Sequence, residues 1–348
     1  MDNAQTTTHL KDAWTAYRQS NPHIRTRNAA DALGVSEAEL VATGCGDTVT
    51  RLRPDWYDLL LDLEGLGEVM ALTRNDGFVH EKIGHYRNAE VIPDHRMGQT
   101  LNEDIDLRIF FRHWHFAFAV VNETDGGVKR SLQFFDPQGV AVHKIHLRST
   151  SNVDHFEGLI DTYHHDDQSS STHVEPPETP KPERPDDTID QAELREAWGA
   201  LKDTHDFIFL LRKYKVTRLQ AFRLAGKDYA WEVRTSSLRT VLEAAAATEL
   251  PIMIFVGNHG CIQIHTGLVK KLKEVRGWYN VLDPGFNLHV KEGEITSAWV
   301  VRKPTKDGDV HSLEFFDAQG HVLCYLFGKR KEGQTENEDW RALLATLT

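Results

Sequence analysis

Apolar residues follow two different periods along the chain, and each period predicts one kind of element. From Ala13 to Gly44 they recur at helical spacing, through AWTAYRQSNP and RTRNAADALGVSEAELVATG. Residues 106–121 (DLRIFFRHWHFAFAVV) and 294–305 (EITSAWVVRKPT) alternate instead, as half-buried strands do, and the turn sequences NETDGG and KDGD follow them. Helices followed by consecutive hairpin strands favour an α+β fold on a large antiparallel sheet.

This pattern occurs twice, which predicts a tandem structural repeat. Three pairs of segments correspond at a separation near 180 residues: SLQFFDPQGVAV (131–142) with SLEFFDAQGHVL (312–323), VMALTRNDGFVHEKIG (69–84) with IMIFVGNHGCIQIHTG (252–267), and LKDAWTAYRQ (10–19) with LREAWGALKD (194–203). A period this long is typical of two whole domains and not of a solenoid. We therefore expect two similar halves whose sheets stack as a central core, with a ligand cleft between the halves.

A polar segment separates the two halves. HHDDQSSSTHVEPPETPKPERPDD (164–187) contains five prolines and almost no apolar residues. Because such a segment cannot bury apolar surface, it is predicted to be an extended, mobile linker. The predicted division is an N-terminal repeat over 1–163, a linker over 164–190 and a C-terminal repeat over 191–348.

Composition narrows the class of protein. A formal net charge of −12 argues against a protein that coats nucleic acid or is held on an anionic membrane. No stretch approaches the ~20 apolar residues of a membrane helix, and no signal peptide is visible, so a cytoplasmic location is expected. The three cysteines form no CxxC pair, so any cofactor is expected to be held non-covalently or by histidine.

One segment has the layout of a helix-turn-helix. TRNAADALGVSEAEL (26–40) places Gly34 at the turn and Ser36 as the cap of a second helix. A DNA-binding interpretation requires that second helix to read bases, but SEAELVATG carries two glutamates and no Lys, Arg, Asn or Gln. Two packed helices are the better interpretation.

The alternating segment at 106–121 predicts one face that carries cations beside aromatic rings. Its members are Arg108, Phe110, Arg112, Trp114, Phe116 and Phe118. Such a face is either sheet core with a charged end or a surface suited to a large, flat, apolar ligand that bears carboxylates. His113 and His115 share the other face at a spacing that a metal site could use, although no neighbouring Cys or acid completes a ligand set.

DTHDF (203–207) places His205 where a helix through FIFLLRKY should begin. Asp203 or Thr204 is predicted to cap this helix, with Asp206 in its first turn. A second predicted helix, in VTRLQAFRLAG, begins near Arg218. A histidine at a helix start is more often a plain surface residue than a ligand, so the pattern leaves both interpretations open.

Several common catalytic motifs are absent from the sequence. GxGxxG and GxxxxGK[ST] do not occur, which disfavours an intrinsic NAD or ATP site. HExxH and GxSxG are also missing, which removes the simplest hydrolase interpretations.

The sequence resembles the HemS/ChuS family of cytoplasmic haem-binding and hemin-degrading (hemin transport) proteins along nearly its whole length. The resemblance is carried by NPHIRTRNAADALGVSEAELVATG, TRNDGFVHEKIG, DTHDF, VTRLQAFRLAG, GNHGCIQIHTG, WYNVLDPGFNLHV and WVVRKPTKDGDVHSLEFFDAQG. It implies a structural repeat of two halves, each with a large antiparallel sheet and helices, and haem b (iron protoporphyrin IX) as the ligand. Haem would sit on the C-terminal half and be contacted by the N-terminal half.

The resemblance also assigns site residues. It implies His205 as the iron ligand and Arg218 as an arginine on the distal side of the haem, both with catalytic roles. Arg108 and Phe110 would line the pocket from the N-terminal half, while Arg330 and Tyr325 would face haem from the C-terminal half. His80, in FVHEKIG, is a candidate for a second haem site.

Two functions of different class follow from the resemblance. The first is an enzyme that ligates haem through His205 and opens the porphyrin ring to release iron, with electrons from ascorbate, a reductase partner or NAD(P)H. The second is a carrier that takes haem from an inner-membrane ABC importer and delivers it to a separate haem oxygenase. The expected partners are haem, the importer and a reductase or haem oxygenase, with no nucleic acid and no stable membrane insertion.

Overall fold

The structure is a computed structural model that describes residues 3–177, 179, 182–331 and 333–348. The helices of its N-terminal half are α1 (Asn3–Ser20), α2 (Thr26–Leu33), α3 (Glu37–Ala42), α4 (Trp56–Asp62) and α5 (Val153–Tyr163). Its strands are β1 (Val49–Leu52), β2 (Val69–Arg74), β3 (Phe78–Gly84), β4 (Ala89–Ile92), β5 (Met97–Thr100), β6 (Asp106–Phe110), β7 (Phe116–Thr124), β8 (Gly127–Phe135) and β9 (Ala141–Leu147).

The C-terminal half repeats this succession. Its helices are α6 (Gln191–Gly199), α7 (Asp206–Tyr214), α8 (Arg218–Ala225), α9 (Ser237–Thr248) and α10 (Glu338–Ala345). Its strands are β10 (Ala230–Val233), β11 (Ile252–Gly257), β12 (Cys261–Gly267), β13 (Leu272–Val275), β14 (Trp278–Asp283), β15 (Phe286–Val290), β16 (Ser297–Thr305), β17 (Gly308–Phe316) and β18 (Val322–Gly328). Each half opens with helices, as predicted; the described residues form three of them before the first strand and two more among and after the strands.

The strands form two large antiparallel sheets of nine strands each. The strand orders are β1-β7-β8-β9-β2-β3-β15-β14-β13 and β10-β16-β17-β18-β11-β12-β6-β5-β4. The first six strands of each order correspond one to one between the halves, and so do the last three. The predicted α+β tandem repeat is therefore confirmed, because the same connections produce the same sheet order twice.

The repeated FFDxQG string explains why the same hairpin forms in both halves. The backbone N–H of Gly139 donates to the Asp136 carbonyl, and that of Gly320 donates to the Asp317 carbonyl. Both glycines have a positive φ, 77° and 79°, which other residues rarely adopt. A register irregularity falls at the preceding Phe-Phe pair in each half, so even the β-bulge is repeated.

Contacts divide the chain into two compact units, each with its own hydrophobic core. One unit holds most of the N-terminal half together with residues 258–263, and the other holds most of the C-terminal half together with residues 75–80. In the first unit, alternate residues of β2, β7, β8 and β9 pack with α4 and α5. In the second, one face of β16–β18 packs with α9 and α10, and the other face packs with α6–α8. The predicted boundaries at 163 and 190 stay a prediction.

Residues 106–121 are not one strand, which corrects the predicted aromatic face. β6 ends at Phe110, a 3₁₀ turn spans Phe111–His113, and β7 begins at Phe116. The chain turns there because Phe111 and Trp114, three residues apart, both enter the core, and the Trp114 indole donates to the Gly260 carbonyl at 2.9 Å.

Two consequences follow from this turn. Arg108 and Phe110 do share the half-buried face of β6, but Arg112, Trp114, Phe116 and Phe118 do not continue that face. His113 and His115 do not share a strand face either, since His113 lies in the turn and His115 lies between elements.

Part of the predicted mobile linker is anchored. The side-chain amide of Gln168 pairs with the backbone N–H and C=O of Arg51 on β1, both at 2.9 Å. The Arg51 guanidinium in turn donates to the carbonyls of Ser169 and Ser171. The prediction of mobility is wrong for this stretch. Its polar groups form hydrogen bonds at the edge of a strand, and these bonds hold it although it buries no apolar surface.

In the part of the chain that the structure describes, no helix is both long enough and apolar enough to cross a membrane.

Candidate functional site

His205 lies at the N-terminal end of α7 with its side chain 88% exposed. One carboxylate oxygen of Asp203 accepts the backbone N–H of His205 at 2.8 Å and the ring Nδ1 at 2.6 Å. Because an ionised carboxylate can only accept, Nδ1 carries the proton and Nε2 is the nitrogen suited to bind a metal. The helix start at His205 is confirmed.

The predicted cap of this helix is wrong in detail. His205 itself occupies the N-cap position, with φ −72° and ψ −26° and no side-chain capping bond. Asp206 lies in the first turn as predicted, and its carboxylate accepts the backbone N–H groups of Lys202 and Asp203. The pKa of Asp203 is lowered, chiefly by the backbone N–H of His205, and the positive charge of Arg330 also contributes. This electrostatic contact associates Arg330 with the same end of α7.

Two large apolar side chains are exposed next to His205. Ile208 and Phe209 are 47% and 64% exposed, three and four residues after His205. Residues at this spacing lie on one helix face, so the imidazole is flanked by an apolar surface.

Arg218, the first residue of α8, lies largely buried against the sheet. Its guanidinium donates to both carboxylate oxygens of Glu314 on β17, from Nε at 2.5 Å and from Nη2 at 3.0 Å. The guanidinium also lies 5.1 Å from the ring centroid of Phe207 and 5.0 Å from that of Tyr325. Burial would lower the pKa of Arg218, but the Glu314 carboxylate raises it above its ordinary value.

A second cation shares the same carboxylate. Lys303 Nζ lies 2.9 Å from Glu314, which is fully buried, and Ser312 Oγ donates to Glu314 at 2.7 Å. Burial would raise the pKa of Glu314, but Arg218 and Lys303 lower it to about 2. Burial lowers the pKa of Lys303 to about 8, although Glu314 opposes the change. Two cations on one carboxylate leave a net positive charge beside Tyr325.

Phe207 connects these groups to His205. It lies two residues after His205 and is buried, and both Arg218 and Lys303 Nζ lie about 5 Å from its ring, at 5.1 and 5.0 Å. The C-terminal site is therefore defined as His205, Arg218, Lys303, Glu314 and Tyr325. Half-buried aromatic rings extend it across the sheet, with Phe255 packed edge-on against Tyr325 and Phe327.

The structure brings together four of the seven residues that the sequence predicts. His205, Arg218, Tyr325 and Arg330 all belong to the C-terminal site or its border. Arg108 lies on β6 in the other unit, where it pairs with Asp106 and donates to the Leu107 carbonyl. Phe110 lies two residues further along the same face of that strand.

His80 is placed differently. It lies on β3 with 0% of its surface exposed, and its ring centroid is 5.0 Å from that of Phe286. Ligation of iron by His80 therefore requires the surrounding strands to open.

Sequence reasoning missed Glu314, Lys303 and Phe209. The sequence did contain a signal for Glu314, because this residue stands where Gln133 stands in the otherwise similar strings SLEFFD and SLQFFD. Phe209 had one as well, because it lies four residues after His205 and so on the same face of the predicted helix. Lys303 had none, since a lysine in an alternating strand is usually solvent-exposed.

Comparison with known proteins finds similarity along nearly the whole chain. The model of the family described as "Haemin-degrading HemS.ChuX domain" matches residues 34–163 and 215–347. The hemin transport protein HmuS of Yersinia pestis is 41% identical over 339 residues, which cover 97% of each chain.

Two solved structures show the same fold. The heme-binding protein PhuS of Pseudomonas aeruginosa, in its holo form, aligns with a TM-score of 0.96 and 47% identity over 98% of this chain and 99% of that one. The E. coli heme oxygenase ChuS aligns with a TM-score of 0.87 and 34% identity over 97% of this chain and 99% of that one.

Proposed function

Because the chain belongs to the HemS/ChuX family of haemin-degrading proteins, we propose that it binds haem through His205 and opens the porphyrin ring to release iron. The observation that carries this proposal is the geometry of His205. Its ring is exposed, its Nδ1 is held by Asp203, and Nε2 is left for a metal. A single imidazole suits iron that arrives with its other ligands already in place, as it does in a porphyrin.

The residues around His205 suit the rest of a haem molecule. Ile208 and Phe209 provide exposed apolar surface for the face of the macrocycle. The net positive charge of Arg218 and Lys303 with Glu314, together with Arg330, suits its two propionates. We propose haem b as the form bound, with Arg108 and Phe110 as further haem-contacting residues.

Each residue has a distinct proposed task. His205 holds the iron, and Asp203 orients the imidazole and makes it more electron-rich. Bound haem supplies an iron centre at which oxygen is reduced by external electrons. Arg218 would offer a fixed positive charge to the bound haem, and the buried aromatic rings around it would exclude water.

A second candidate function is a non-enzymatic haem carrier. The names of the similar proteins favour both the enzyme and the carrier, because HmuS is a hemin transport protein and ChuS is a heme oxygenase. The exposure of His205 and Phe209 suits haem transfer as well as turnover. In either case we propose a cytoplasmic location, an inner-membrane ABC importer as the source of haem, and a reductase or a haem oxygenase as partner.

Hemin titration followed at the Soret band tests the binding proposal. We expect wild type to give an imidazole-ligated spectrum, and His205→Ala to lose or strongly alter it, because the mutant lacks the iron ligand. His23→Ala is the matched control, since His23 is also exposed and also lies just before a helix, α2. An unchanged spectrum in His205→Ala would contradict the proposal.

Turnover separates the enzyme from the carrier. The hemin complex is supplied with a reductant and oxygen in the presence of catalase, and the tetrapyrrole products are identified. Ring cleavage that persists with catalase supports the enzyme. Cleavage that catalase abolishes is peroxide damage and favours the carrier.

A further inference from the structure

A single buried carboxylate organises the cationic side of the C-terminal site. Both oxygens of Glu314 are used: Arg218 donates to each of them, while Lys303 and Ser312 both bond to Oε1. A buried carboxylate bonded on both oxygens is held in one orientation and fixes its partners in turn. Arg218 therefore meets the ring of Tyr325 from a defined direction and does not sample the rotamers of an exposed arginine.

The N-terminal half contains the same kind of cluster, but its carboxylate and its cations stand at different positions of the repeat. Glu37 is the first residue of α3 and Arg218 is the first residue of α8, so the two residues occupy equivalent positions. Each follows a serine or threonine N-cap. Glu37 bonds Lys144 Nζ at 2.6 Å and pairs with Arg74. Gln133 stands in β8 where Glu314 stands in β17, three residues before the same turn. Both halves thus hold two cations on one buried carboxylate, and the two C-terminal cations lie against Phe207, two residues after His205.

We propose that Glu314 is the positioning residue of the haem site: it fixes Arg218 against Tyr325 and holds the buried Lys303 on the same carboxylate, so that an anionic planar ligand meets Arg218 in a fixed position and is attracted by the charge of both cations. This inference rests on the proposed function. The two cations and one carboxylate carry a net positive charge into a water-poor site, where it attracts propionates more strongly than exposed lysines would.

Removal of the carboxylate charge does not simply make the site more attractive to an anion. Without it, two buried cations repel each other and Arg218 loses one of its two acceptors. Lys303, whose pKa burial already lowers to about 8, then gives up its proton more readily because Glu314 no longer opposes the change. The expected result is a disordered arginine and a neutral lysine, and hence weaker binding of hemin.

The test measures the hemin dissociation constant of the full chain by Soret titration for Glu314→Gln, Glu314→Asp, Arg218→Met and Glu314→Gln/Arg218→Met. We expect Glu314→Gln to weaken binding by roughly tenfold, the worth of a charge-assisted hydrogen bond. The double variant should bind more weakly than Arg218→Met by clearly less than the loss seen in Glu314→Gln alone, because Glu314 acts largely through Arg218 and only the part through Lys303 remains. Glu314→Asp should bind better than Glu314→Gln, since it keeps the charge.

This order distinguishes positioning from packing. If Glu314 only filled space, the isosteric Gln would be the milder change and the shorter Asp the more harmful one. Glu37→Gln is the matched control, because it removes the equivalent buried carboxylate from the other half. We expect it to lower the free energy of unfolding as Glu314→Gln does, but to leave hemin affinity within about twofold of wild type.

The outcomes separate this inference from the proposed function. If Arg218→Met weakens binding and Glu314→Gln does not, the inference is overturned and the proposed function stands. Additive losses in the double variant overturn it as well. If neither His205→Ala nor Arg218→Met changes hemin binding, the proposed function itself fails. Should Glu314→Gln not fold, Glu314→Asp with and without Arg218→Met gives the same cycle.

Discussion

Asp203 and His205 are two residues apart, and the hydrogen bond between them decides which ring nitrogen is left for a ligand. The bond from Nδ1 to the carboxylate is 2.6 Å long, and the same oxygen also accepts the backbone N–H of His205. A carboxylate in this position makes an imidazole ligand more electron-rich, which favours the ferric over the ferrous state of a bound iron. We therefore expect the carboxylate two residues before the candidate ligand to tune the chemistry of a bound iron.

Replacement of Asp203 tests this tuning. In Asp203→Asn a neutral amide replaces the carboxylate, so we expect hemin affinity to fall by about tenfold. We also expect the reduction potential of the complex to rise, as measured by spectroelectrochemistry. Asp206→Asn is the control, because the Asp206 carboxylate accepts only backbone N–H groups in this region. Equal potentials in Asp203→Asn and wild type would show that the bond does not tune the iron.

At the scale of elements, α7 and α8 supply opposite kinds of surface. α7 begins at the exposed His205 and carries Ile208 and Phe209 outward, while α8 begins at Arg218 and directs it into the sheet. The two helix starts also differ in their caps: α8 has a Thr217 N-cap whose side chain accepts the backbone N–H of Gln220, whereas α7 has no side-chain cap. The two helix starts thus provide a candidate ligand and a buried charge.

The exposed face of α7 gives a second prediction. Phe209→Ser removes apolar area that would be buried only when haem binds, so we expect hemin affinity to fall by about tenfold or more. The free energy of unfolding without hemin should change by less than about 0.5 kcal/mol, since the side chain is exposed in the free protein. Leu61→Ser on α4, another exposed apolar residue, is the control and should leave affinity unchanged. Equal losses in both variants would argue against a specific contact.

At the scale of the whole molecule, a duplicated chain carries one complete candidate site. The halves share strand order, turns and helix caps, yet Glu37 stands where Arg218 stands and the only other predicted ligand, His80, is fully buried. The duplication therefore conserved the scaffold and changed the charges placed upon it.

Stoichiometry tests this asymmetry. We expect hemin titration to reach its endpoint at one equivalent per chain, because His205 combines an exposed imidazole, an Nδ1 held by Asp203 and a flanking apolar surface. The same endpoint is expected for His80→Ala. A second imidazole-ligated equivalent that disappears in His80→Ala would establish a second site and show that β3 opens.

Local patterns in the sequence predicted much of the fold and part of the site. Features that depend on residues a few positions apart were predictable, because they rest on short-range hydrogen bonds and periodicity. Examples are the NETDGG and KDGD turns, the Ser36 cap, the helix start at His205 and the shared face of Arg108 and Phe110. The tandem repeat itself was visible as corresponding strings.

Local sequence patterns thus specify the repeat, most of its helices and strands, and the place of His205 at a helix start. Tertiary structure decided which charges meet: Arg218 and Glu314 are 96 residues apart, and only the packing of α8 on β17 joins them. Tertiary structure also decided where an alternating sequence does not form a strand. Phe111 and Trp114 are buried in the core, and their burial outweighs the strand pattern at 111–113. The physical reason is that a charge or ring is buried by residues distant in the chain, and no local period encodes that contact.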